Sequence, residues 1–253
     1  PAAVRLEPEA ARLIIEAEAE TRETGGTILA FLPGEGEIRR VAARLADLPA
    51  DVVTLFGAMD FKAQRAALSP PGARRRVVLA TSIAETSLTI PGVRVVVDGG
   101  RARRARFDPG SGMSRLVTER VSRAEADQRR GRAGRVAPGI CWRMWSRAEE
   151  GALPGFAPPE IAVADLCGLA LELAVWGAEA ADLAFLTPPP EAALSEARDL
   201  LRALEALDDA GRITAHGRAL AWLPLHPRLA HMLLRSGGAA ADLAALLSDR
   251  DPL

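Results

Sequence analysis

The chain has 253 residues, of which 49% are hydrophobic and 26% charged, with a formal net charge of −1. These values exclude wholesale disorder, and no apolar run approaches the roughly 20 residues that a membrane helix needs. Cys141 and Cys167 give neither a disulfide framework nor a metal-ligand spacing, and the N-terminus PAAVRLEPEA lacks the basic start and apolar stretch of a signal peptide, so a reducing cytoplasm is the expected setting.

Residues 8–23 predict a helix with Leu13, Ile14 and Ala17 on one stripe, broken by Gly25-Gly26. TILAFLP (27–33) reads as a buried strand, and 35–45 as a helix with Ile38, Val41, Ala42 and Leu45 inward. DVVTLFG (51–57) is a second strand, and a helix over 60–68 follows. RRVVLATS (75–82) and VRVVVDGG (93–100) are the third and fourth strands. Strands alternating with helices at short spacing predict a parallel α/β sheet. The runs 101–108 and 113–122 flank Pro109-Gly110-Ser111-Gly112 and predict a β-hairpin. A helical stretch carrying QRRGRAGR comes next, then GICWRMWS (139–146) as the last strand.

Residues 151–159, GALPGFAPP, read as a linker. Beyond it, 161–177 and 191–211 predict helices, the second with Gly211 as its C-cap, and Arg212-Ile213-Thr214 is short and extended. Two helices and a short strand pair suggest a winged-helix module. The expected division is a sheet domain over 1–150, a winged helix over 151–222 and the start of a further helical domain over 223–253. The abrupt stop of that last unit suggests a fragment of a longer protein.

Of the 32 basic residues, 31 are arginine, and the single lysine, Lys62, follows Phe61. A phosphate loop GxxxxGK[ST], which needs lysine after glycine, is therefore excluded. Residues 101–147 hold 13 arginines against Asp108, Glu119, Glu125 and Asp127. Such a segment in a nearly neutral chain predicts a local anion-binding footprint.

Two strings carry chemistry. In Gln128-Arg129-Arg130-Gly131-Arg132-Ala133-Gly134-Arg135, a helix would put Arg132 and Arg135 on one face as a phosphate clamp, with Gly131 and Gly134 clearing bulk beside them. Gln128, one turn earlier, could orient a water for in-line attack on a γ-phosphate. The second string, ATSIAETSLTIP (80–91), leaves an apolar strand at its carboxyl end, where open α/β sheets bind ligands. Its hydroxyls can contact sugar, phosphate and water.

Together these strings resemble motifs V and VI of the DEAH/RHA family of superfamily 2 RNA helicases; AFLPGEGEI (30–38) and LFGAMDFKAQ (55–64) are similar to the family's motif IV region and the segment that follows. The resemblance implies a RecA-like parallel sheet domain, the second of the helicase core, with a hairpin insertion and a helical winged-helix module, leading into a ratchet-like domain. It implies arginine fingers at Arg132 and Arg135, a water-orienting Gln128, and nucleotide contacts from Ser87 and Thr89. Thr81 and Gly34 would follow the RNA backbone, and Arg101, Arg103 and Arg104 of the hairpin would contact phosphates at a strand junction. Pro91 and Leu68 stand where relatives often carry an acid and an aromatic. The implied substrate is ATP with Mg2+, bound mainly by a preceding RecA-like domain that this sequence does not contain; the implied partners are that domain and single-stranded RNA or an RNA duplex end. Without it the chain should not hydrolyse ATP. The alternatives are a non-catalytic RNA-binding scaffold and part of a DNA helicase. His216, His226 and His231 are expected to be structural and to form no metal set, and Trp142, Trp145, Trp176 and Trp222 to pack in the core.

Overall fold

The structure, a computed structural model, describes residues 5–70, 72–85, 88–108 and 112–248. The chain forms two compact units, Pro1–Arg104 with Leu116–Ala157, and Ala105–Arg115 with Pro158–Leu253. The break after Ala157 falls within the Gly/Pro-rich stretch that the sequence marks as a linker. No helix of the described residues is long and apolar enough to cross a membrane.

The first unit runs α1 (Leu6–Glu20), β1 (Thr27–Phe31), α2 (Glu35–Arg44), β2 (Asp51–Leu55), α3 (Phe61–Ala67), β3 (Arg76–Ala80) and β4 (Val93–Asp98). The hairpin β5 (Arg101–Asp108) and β6 (Met113–Arg120) follows, its tip belonging to the second unit, then α4 (Arg123–Gly131), β7 (Ile140–Arg143) and α5 (Arg147–Gly151). The sheet is wholly parallel in the order β2-β3-β1-β4-β7. A parallel sheet covered on both faces needs apolar side chains on both, which is why β1 is buried at every residue. Ile28, Ala30, Val95 and Val97 join one core with α1 and α2, whereas Leu29, Phe31 and Val96 face a second core containing Ala67, Ala84 and Ala133. Strand alternation thus separates the two layers residue by residue.

The second unit holds α6 (Cys167–Trp176), α7 (Glu191–Ala203), α8 (Ala215–Ala221), α9 (Pro227–Ser236) and α10 (Ala241–Ser248). Leu166, Ala170, Leu173, Leu194, Ala197 and Leu201 pack with Leu220 and Ala230, so residues on both sides of position 223 share one core. Three expectations need correction here. The helix foreseen over 161–177 begins at Cys167, because Asp165 Oδ1 accepts from the Cys167 amide at 2.7 Å and turns the chain first. The helix foreseen to reach 211 stops at Ala203, since Glu205 takes φ 57° and the Ala206 amide folds back onto Leu201 O at 2.8 Å. Gly211 instead sits in the turn that lets Leu207 bridge Ile213 in antiparallel fashion. Trp176 and Trp222 are 69% and 87% exposed, not core residues: both sit at helix ends, beyond the packed turns. Trp142 and Trp145 are half-buried against the first unit's clusters.

Gly217 lies where α8 crosses this bridge, and a Cβ there would meet the carbonyl oxygen of Ala206 and come within 2.6 Å of Ile213 Cδ1. Since one contact is backbone, Gly217→Ala should lower stability by about 1–3 kcal/mol. Thermal unfolding would show this as a melting point several degrees lower, whereas Gly177→Ala, with open space at its Cβ but φ +70°, should act through backbone strain alone.

Candidate functional site

The chain's chemistry gathers at the carboxyl end of the sheet. Phe31 and Asp98, the last residues of β1 and β4, are register partners. They share parity with Leu29 and Val96, so both side chains face the layer of α4. Arg129 of α4 lies over the pair, 1% exposed, with its guanidinium carbon 4.8 Å from the Phe31 ring centroid. Its Nη1 donates to Asp98 Oδ1 at 2.9 Å and its Nε to Glu85 Oε2 at 3.0 Å. Burial acts against the Arg129 charge, but Asp98 and Glu85 outweigh it and raise its pKa. Burial likewise pushes the Glu85 carboxyl up, against the pull of Arg129. A capping box sets the entry of α4: the Ser122 amide donates to Glu125 Oε2 at 2.7 Å, and the Glu125 amide donates to Ser122 Oγ at 3.3 Å.

Arg132 and Arg135 do come together, but not on a helix face. α4 ends at Gly131, Arg132 is its C-cap, and Arg135 lies past the end. Gly131 is the last residue of α4 and Gly134 lies beyond it, and a Cβ at either would meet nothing within 4 Å, so both border open space. The glycine required by contact is Gly139, whose Cβ would strike the Ala133 carbonyl and approach Arg94 O to 2.7 Å. Arg132 is 5% exposed. Its Nε donates to Glu85 O at 2.9 Å and its Nη1 to Leu88 O at 2.7 Å, with Nη2 also on Glu85 O. Among the described residues it has no carboxylate partner. Burial, and then the charge of Arg135, lower its pKa. Arg132, Arg135 and Thr89 line a cavity of about 130 Å3. Among the described residues, a buried cation hydrogen-bonded only to carbonyl oxygens, beside a second cation, is an arrangement that an anion would complete.

Gln128 is exposed one turn before Arg132. Thr81 follows β3, half-buried, with its amide donating to Leu55 O at 3.1 Å. Ser87 lies outside the described residues. Gly34 is the N-cap of α2, and a Cβ there would come within 2.7 Å of Arg103 Nη1. Arg103 pairs with Glu37 at 3.2 Å across this turn. Arg101 is exposed, but Arg104 pairs with Glu119 at 3.3 Å and with Glu125, which leaves it bracing the hairpin against α4. The basic footprint is accordingly smaller than the charge count suggests. Glu37, Glu85, Asp98, Glu149 and Glu150, all outside the 101–147 segment, neutralise arginines within it.

Sequence reasoning missed Arg129, Glu85 and Asp98. A usable signal existed: in VRVVVD, Asp98 shares parity with a buried valine, which places a carboxylate in the layer of the arginine-rich helix. The histidines lie in hydrogen-bonded contacts. In the second unit, His226 Nε2 lies 3.0 Å from Asp165 Oδ2, and these two residues and Cys167 hold their donor atoms within 4.8 Å of one another. Hydrogen bonds explain the cluster without an ion: Asp165 uses one oxygen on His226 and the other on the Cys167 amide, and His226 Nδ1 accepts from Arg228 N at 3.2 Å. Burial and the nearby Asp165 push the Cys167 thiol up to about 12, as suits a core residue.

Known proteins resemble this chain in sequence and fold. The family description helicase conserved C-terminal domain matches residues 9–137. The Escherichia coli ATP-dependent RNA helicase HrpB is 44% identical over 238 residues, 90% of this chain and 29% of that protein. The Escherichia coli ATP-dependent RNA helicase HrpA is 36% identical over 225 residues, 85% of this chain and 17% of that protein. A crystal structure of the Escherichia coli DEAH/RHA helicase HrpB superposes with a TM-score of 0.90 at 41% identity, covering 100% of this chain and 33% of that one. The chain thus spans less than a third of the length of these relatives. It belongs to the helicase conserved C-terminal domain family, on the DEAH/RHA branch, and its sheet unit is the RecA-like C-terminal domain of such a helicase core.

Proposed function

We propose that this chain is the second half of an ATP-dependent RNA helicase motor, which brings Arg132 and Arg135 to the γ-phosphate of an ATP held chiefly by a preceding RecA-like domain. The observation that carries this reading is the Arg132 guanidinium, 5% exposed and without a carboxylate partner among the described residues, beside Arg135 and Thr89. In the transition state the transferred phosphoryl spreads charge over its oxygens, and donors already desolvated and aimed there stabilise it. Thr89, and Ser87 beyond the described residues, would contact the nucleotide, and Gln128 would hold the attacking water. Magnesium does not fit this half: Glu85 and Asp98 are both held by Arg129, so its ligands would have to come from the preceding domain.

The RNA side of the reading rests on the N-terminus of α2 at Gly34 with Arg103 laid over it, supported by Thr81 and Arg101. Arg104 is assigned to the hairpin itself. The bridge Leu207–Ile213 between α7 and α8 would serve as the small wing of a winged helix, with the helices after position 223 packed in the same core and leading toward the next domain. The unpaired Cys141 and Cys167 agree with a cytoplasmic setting.

In the full-length protein, Arg132→Ala should lower RNA-stimulated ATP hydrolysis by about 10³-fold. Turnover near that of the unsubstituted protein overturns the nucleotide assignment. Arg103→Ala should weaken single-stranded RNA binding and reduce its salt dependence by about one counterion, with ATP turnover retained at saturating RNA. An unchanged salt slope removes Arg103 from the RNA track, and a DNA strand that activates hydrolysis as well as RNA of the same sequence would favour the DNA reading.

A further inference from the structure

We propose that Glu85 and Arg129 are positioning residues for Arg132, forming one connected relay, Asp98–Arg129–Glu85–Arg132, from the sheet to the finger. The inference rests on the reading of Arg132 as a phosphate ligand. Glu85 acts through two of its parts at once. Its carboxylate accepts from Arg129 Nε at 3.0 Å, while its backbone carbonyl accepts from Arg132 Nε at 2.9 Å and from Arg132 Nη2. The place of the carbonyl is therefore fixed by the ion pair of the side chain. Arg129 in turn is tied to the sheet by Asp98 at 2.9 Å and by the Phe31 ring, and its own carbonyl accepts from the Arg132 amide at 3.1 Å.

Glu85 stands in the connection between β3 and β4, just past a single 3-10 turn over Ser82–Ala84. Such a connection, left to itself, samples many backbone states, and each would carry the Glu85 carbonyl to a different place. Burial selects one: Glu85 is 8% and Arg129 1% exposed, so neither charge can leave its partner for water. Among the described residues Arg132 has no carboxylate partner to orient it. Its direction is set by two carbonyls, Leu88 O on Nη1 and Glu85 O on Nε and Nη2, and the second of these is held by an ion pair made by a different arginine.

The experiment is a double-mutant cycle in the full-length protein, read as kcat for RNA-stimulated ATP hydrolysis with KM for ATP and RNA affinity alongside. Glu85→Gln keeps the shape and an acceptor for Arg129 but removes the charge. It should lower kcat by about 10–100-fold, as misplacement of a reacting group does, with RNA affinity unchanged. In an Arg132→Ala background the same change should lower kcat less than about twofold, because its route of action is gone. Equal losses in both backgrounds, or no loss in the first, overturn the relay while leaving the assignment of Arg132 intact. A silent Arg132→Ala overturns the functional reading instead. Asp98→Asn, which meets Arg129 from the other side, repeats the cycle should Glu85→Gln fail to fold. Failure of both variants to fold makes the cluster a folding element only and overturns the relay.

Discussion

The first unit depends on one buried cation. Taking a guanidinium out of water costs several kcal/mol, and the loss is offset only where geometry and hydrogen bonding are good. Arg129 meets that condition with two carboxylates and an aromatic face. Both of its sheet contacts are the terminal residues of strands, in register with each other. A slip of one residue in β4 would turn Asp98 to the opposite layer and leave Arg129 buried beside a valine. The pairing of the sheet and the docking of α4 are therefore a single constraint, and the loop carrying Glu85 is drawn into it.

Arg129 and Arg132 show how one residue type, three positions apart, takes opposite parts. Both are buried. Arg129 has its charge balanced within the fold, so it holds structure and has nothing left to offer. Arg132 satisfies its hydrogen bonds on carbonyl oxygens but keeps its charge unbalanced, and the neighbouring Arg135 adds to the imbalance. Hydrogen bonding and charge compensation are separate requirements, and only the second remains unmet at Arg132. That difference makes Arg129 a strut and leaves Arg132 without a carboxylate partner among the described residues.

Much of this was legible in the sequence. Apolar runs of the right length located all five strands of the sheet, and the lone Lys62 excluded a phosphate loop. The strings around 80–91 and 128–135 identified the family. What remained hidden was pairing at long range. The partners of Arg129 lie 44 and 31 residues away, and the 128–135 string does not mark which of its arginines is consumed internally. The early end of α7 was hidden for another reason. Glu205 adopts a left-handed backbone that sequence assigns to glycine, and Gly211, the glycine that attracted the assignment, serves a later turn. The exposure of Trp176 and Trp222 was obscured because residue type says nothing about the last turn of a helix.

The division of the chain into units has a consequence for synthesis. Because the tip of the hairpin belongs to the second unit and its base to the first, neither unit is a continuous stretch of chain. On a ribosome the first four sheet strands emerge early, but Arg129 and β7 appear only after the hairpin has been made. Asp98 therefore stays on an uncovered face of the growing sheet until the arginine that neutralises it arrives. The hairpin tip waits longer still, for helices that begin more than 50 residues downstream. Assembly of this protein is thus paced by late-arriving segments, and the last residues of the first unit close a structure opened by its earliest strands.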